Sequence, residues 1–215
     1  MFTGSGQFFT SVQPDATVTY TDNASVVSTT TTFTFSAAAI GTATSDRKIV
    51  VGVWAHGHGG VTLNSVTVGG VSASSVVSKI VGDGINELWQ ADVPSGTTGD
   101  VVATFSSNKA ACSIIVWAVT GAASAANATG TSTADPLTAS VTIPAKGIVI
   151  GRAICGSSAT FTWTNVTENA EYVANTIGQG GASLAYADLQ TNLAITADQN
   201  TGAEPLLTVA SWGPA

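Results

Sequence analysis

The run KIVVGVW, residues 48–54, carries apolar side chains on consecutive positions after its leading lysine. A strand with one wet face alternates apolar and polar residues, whereas a strand covered on both faces is apolar throughout. SIIVWAV (113–119) and GIVIG (147–151) repeat the pattern. These runs suit central strands enclosed on both sides or tightly packed.

Outward from these runs, period-two alternation of β-branched residues recurs from about residue 17 to the end. No segment sustains a period of 3.6 residues. Strands are expected near 17–20, 26–35, 47–55, 61–68, 71–81, 85–92, 100–106 and 112–120, with a second series near 137–143, 147–155, 160–167, 170–177, 182–188, 193–198 and 206–212. Clusters such as VGG, GDG, PSGTTGD and NTGAEP separate them at hairpin spacing. The chain reads as all-β, an antiparallel, jelly-roll-like β-sandwich.

The two series form a worn internal repeat. IVVGVWAHG (49–57) matches IVIGRAICG (148–156), and LWQADV (88–93) matches LAYADL (184–189) in the same order. The small, polar stretch 121–136 lies between the halves as a linker or a surface crossover. One sandwich domain over 16–215 is the favoured division, with two sandwiches, 16–121 and 137–215, as the alternative. Residues 1–15 are read as an extended N-terminal arm. Its Phe2, Phe8 and Phe9 would expose costly aromatic surface unless packed on the domain or on a neighbour, and they are the candidate assembly contacts.

Composition narrows the function classes. Only 9% of the 215 residues are charged, against about a quarter in ordinary domains. Six basic residues stand against thirteen acidic ones, for a net charge of −7, and no Lys/Arg cluster suits a nucleic-acid partner. No apolar run approaches membrane-spanning length, so no membrane role is expected. The N-terminus has neither a basic region nor a continuous apolar stretch, which reads as a protein made in the cytosol without a secretory signal. Cys112 and Cys155 lie in apolar strand-like runs and read as small buried hydrophobes.

His56 and His58 are the two histidines, in a glycine-rich stretch after KIVVGVW. On one strand face they could share a metal, but zinc sites need three or four protein ligands and the neighbouring residues supply none. A turn with incidental histidines is the reading, with no metal and no cofactor. No serine sits in a nucleophile turn, no preferred carboxylate pair stands out, and no enzyme activity is expected. Of the five tryptophans, Trp117 is read as core; Trp89 and Trp163 are left as candidate glycan contacts, since exposed indoles can bind sugar rings.

The succession TFTFSAAAIGTATSDRKIVVGVWA (32–55), SVTVGGVSAS (65–74), ELWQADVPSGTTGDVVATFS (87–106), IIVWAVTG (114–121) and ASWGPA (210–215) resembles a family of β-sandwich virion proteins of tailed bacteriophages and prophages. The resemblance covers nearly the whole chain from about Ala16. It implies a non-enzymatic virion structural protein, a capsid decoration or cement protein outside the head, with a tail or fibre glycan-recognising module as the alternative. It also implies other virion proteins and further copies of the chain as partners, a virion location, and assembly in the host cytoplasm. It supplies no catalytic residues.

Overall fold

The computed structural model describes residues 15–57, 62–157, 160–200 and 203–215. All regular elements among them are strands, and every pairing is antiparallel. In the first half these are β1 (Thr17–Ala39), β2 (Lys48–His56), β3 (Leu63–Val68), β4 (Val71–Ser72), β5 (Ser74–Val81), β6 (Gly84–Asp92) and β7 (Thr98–Thr120). In the second they are β8 (Ala128–Ser132), β9 (Leu137–Ile143), β10 (Gly147–Gly156), β11 (Phe161–Thr164), β12 (Thr167–Ala174), β13 (Ile177–Tyr186), β14 (Gln190–Gln199) and β15 (Ala203–Trp212).

The two halves share one topology. The second half is a sandwich of a five-stranded sheet, β12-β13-β10-β15-β8, over a three-stranded sheet, β11-β14-β9. In the first half the long strands β1 and β7 run through both layers. The carboxyl part of β7 pairs with β2 and with the start of β1, giving β5-β6-β2-β7-β1; the amino part of β7 lies between β3 and the end of β1. Counted as eight strands, each half pairs its first strand with its eighth, second with seventh and third with sixth. That nested order is a jelly roll.

Strand ends differ from the sequence expectation where polarity hides continuity. The segments expected at 17–20 and 26–35 are one strand, as are 100–106 and 112–120, because β-bulges at Tyr20/Asp22, Val27/Thr30 and Phe35/Ala38 absorb the breaks in alternation. The stretch 121–136 contains β8, a sheet-edge strand of Ala, Thr, Gly and Ser whose lack of large apolar residues gives no strand signal.

Three large cores stack across the molecule, together with a smaller cluster of Trp54, Ala111, Ile154, Ala174 and Leu206. Phe33, Phe35, Val51, Val53, Trp89, Phe105 and Ile114 help fill the first sandwich; Leu137, Val141, Val149, Phe161, Ile195 and Val209 help fill the second. The two five-stranded sheets lie face to face and enclose a third core, the seam, with Val50, Leu88, Ile115, Trp117, Ile148, Ile150 and Trp212. β2 and β10 therefore pack on both faces, which is why KIVVGVW and GIVIG lack alternation. The sheets meet in reciprocal fashion: β5 lies on β8 and β15, while β12, the counterpart of β5, lies on β1 and β7. Such contact relates the halves by a pseudo-twofold axis, as in an isologous dimer.

The repeat quoted from sequence has the right order and the wrong register. The two-residue hairpin turns after Val81 and Ala174 are equivalent, so Leu88 on β6 corresponds to Gly181 on β13, three residues from the sequence match with Leu184. Leu88 pairs with Gly52, and Gly181 with Arg152. Gly52 thus corresponds to Arg152, not to Gly151 as the sequence match implies. An odd slip turns every side chain to the opposite face of its sheet.

Candidate functional site

The centre of the seam concentrates polar groups. Arg152 on β10, Asn86 on β6, Gln179 on β13, Ser113 on β7 and Thr208 on β15 are fully buried. The Arg152 guanidinium donates through Nη1 to the Gly52 carbonyl and through Nη2 to Ser113 Oγ at 2.8 Å and Gln179 Oε1 at 2.9 Å. Asn86 Nδ2 crosses in the other direction to the carbonyls of Arg152, at 3.0 Å, and Leu206, at 3.4 Å. These are neutral oxygens, and no ion pair among the described residues includes Arg152. Burial lowers the arginine pKa, yet a guanidinium keeps its proton in proteins.

Tryptophans flank this cell in matching roles. Trp117 on β7 reaches across the seam to donate to Asn169 Oδ1 at 2.9 Å, and Trp212 on β15 reaches back to donate to Gln90 Oε1 at 2.9 Å. Gly181 lets the first of them in: a Cβ there would lie 2.8 Å from Ile115 Cδ1 and 2.9 Å from Trp117 Cζ2. Tyr172 donates to the Ile114 carbonyl at 3.0 Å, and burial pushes its phenol pKa up.

The N-terminal segment enters at one end of the seam. Ala16 is buried in the seam core and donates its N–H to the Lys146 carbonyl at 2.9 Å, while Lys146 Nζ pairs with Asp15 Oδ1 at 2.8 Å. Gly121 closes on the same point, since a Cβ there would lie 2.8 Å from the Asp15 carbonyl oxygen. Asp46 accepts the Gly121 N–H at 2.8 Å, which holds its carboxyl below the usual range. The root of the arm is thus held to both halves. Phe2, Phe8 and Phe9 lie outside the described residues.

His56 lies at the other end of β2, about 26 Å away at 3.3 Å per residue. Its ring stacks on Trp54 at 6.1 Å between centroids, and Nε2 stands 3.7 Å from Asp83 Oδ2. His56 and Trp54 belong to a shallow pocket with Val81, Gly84, Ile154, Ile177 and Glu204, formed where the hairpins of the two halves converge. His58 lies outside the described residues. Among the described residues no three His, Cys, Asp or Glu side chains gather in a way that could hold a metal ion.

Of the two glycan candidates, Trp89 requires correction. Trp89 is 7% exposed, packs in the first core and donates its Nε1–H to Glu87 Oε2 at 2.7 Å. Trp163 is half-buried against the second core, where Gly151 makes room for its ring. An inward strand position directs the Trp89 indole into its sandwich, so it presents no face to a sugar. Trp117 is buried as expected. Cys112 and Cys155 are buried in separate cores, with thiol pKa values raised by desolvation, that of Cys155 to about 11.

Several carboxylates serve the fold. Asp22 caps the Asn23 and Ala39 N–H groups, Asp100 that of Ala37 and Glu171 that of Phe161. Glu87 is the buried exception, held by Ser78 and Trp89, with a pKa raised by desolvation. Sequence reasoning passed over Arg152, although a charge inside IVIGRAIC was the available signal. No protein-family model matches the chain, and no curated protein matches it.

Proposed function

We propose that the protein is a non-enzymatic structural component of a phage virion, a decoration protein on the outside of the head. The observation that carries this reading is the way the N-terminal segment is rooted. Asp15 and Ala16 are bonded into the seam of a double jelly roll, so a pull on the arm is borne by both halves together. An arm with Phe2, Phe8 and Phe9 then attaches to the major capsid protein or to a neighbouring copy. Three phenylalanines burying a few hundred Å² would contribute several kcal/mol at about 25 cal/mol per Å².

Further support comes from the net charge of −7 and the absence of a basic cluster in the sequence, which suit a place outside the shell, away from packaged nucleic acid. Repetition on a lattice lets modest contacts suffice. The test has two readouts: quantify the protein against the major capsid protein in purified particles, and delete residues 1–13. Decoration predicts hundreds of copies on the head, with incorporation abolished by the deletion and melting of the isolated protein nearly unchanged. A few copies confined to the tail, or normal incorporation of the truncated protein, would contradict it.

A further inference from the structure

At the centre of the seam the two halves carry opposite choices of side chain. Equivalent positions on β2 and β10 carry Gly52 and Arg152. A Cβ built on Gly52 would lie 2.7 Å from Arg152 Cδ and 3.0 Å from its Nη1, so a side chain at 52 collides with the arginine. The arginine, in turn, supplies donors to the Gly52 carbonyl and to Ser113. On the opposite side Asn86, the counterpart of Gln179, caps the equivalent carbonyls of Arg152 and Leu206.

Two sandwiches of the same topology offer each other, and offer their own kind, sheets of the same strand order. Discrimination between such partners needs a repulsive element as well as an attractive one. We propose that Gly52 and Arg152 form the key that decides which faces pair in the seam: a glycine-bearing face accepts an arginine-bearing face, and neither accepts its own kind. Two arginines would place two like charges in one dry cell. Two glycines would leave the cell unfilled and its carbonyls without the guanidinium donors. The key keeps the first half on the second half and keeps the seam out of contacts between like halves of neighbouring copies.

Four full-length chains display the four combinations. The wild type is Gly/Arg, Gly52→Arg is Arg/Arg, Arg152→Gly is Gly/Gly, and the double variant is Arg/Gly. Thermal midpoints by calorimetry or circular dichroism are expected to place both mixed combinations above both matched ones. Losses at two sites without a shared role add, so the double variant would then melt below either single one. A double variant that melts at or below either single variant overturns the proposal. Should Gly52→Arg yield no folded protein, it ranks lowest; comparison of the double variant with Arg152→Gly, which introduces no bulk, then decides the matter on the same criterion.

Discussion

The interiors of the two jelly rolls and the seam between them are built on different rules. Inside each sandwich the cores are dominated by Val, Ile, Leu, Ala and Phe, and many fillings of about the right volume would serve. The seam instead combines two tryptophans with a buried arginine, two amides, a serine and a threonine. Arg152 Nε, Asn86 Oδ1, Gln179 Nε2 and Thr208 Oγ1 are buried there without a hydrogen bond to another protein group. Burying such groups costs stability that plain apolar packing would not. The seam therefore gives up part of the stability that its buried apolar residues supply and adds orientation.

Trp117 is where the contrast should be largest. Trp117→Ala opens a cavity in the seam and leaves Asn169 without its indole donor, for an expected loss of about 3–5 kcal/mol in chemical denaturation. A loss below about 1 kcal/mol would show that the seam is loosely packed. Asn86→Ala should follow, at roughly 2 kcal/mol, because it uncaps two buried carbonyls across the seam while opening a smaller void. A value near zero would mean that those carbonyls find other donors.

The smallest effect is expected at Glu87, inside the first sandwich, and it depends on pH. Desolvation raises its folded pKa above the ordinary value of 4.5, so the folded state holds this proton more tightly than the unfolded state. Its contribution is fully present below about pH 4.5 and is lost as pH rises through the folded value. Glu87→Gln keeps the size and can still bond Ser78 and Trp89. Stability of the variant relative to wild type should rise across that window and stay level above it. A constant difference across the whole range would show that Glu87 does not titrate with folding.

How much of this the sequence disclosed follows the same division. Strands that pack on both faces announce themselves as unbroken apolar runs, and KIVVGVW and GIVIG are the central strands of the seam sheets. The repeat was legible in order because turns and strand lengths survive divergence. Its register was not: valine and isoleucine on both faces of β2 and β10 make a one-residue slip invisible, and only hydrogen-bond pairing decides it. The partnership of Gly52 and Arg152 depends on that register. Trp89 was misread for a related reason, since a tryptophan in a mixed run gives no sign of which face it takes.

Hydrogen exchange tests most directly the claim that two equivalent jelly rolls are locked through one buried seam. Amides of β2 and β10 should be the slowest in the molecule and should exchange with the same opening free energy, because neither strand is freed until the seam opens. Those of β3 and β11, in the outer layers, should exchange faster. A β10 that exchanges much faster than β2, or outer strands protected as well as the central pair, would contradict it.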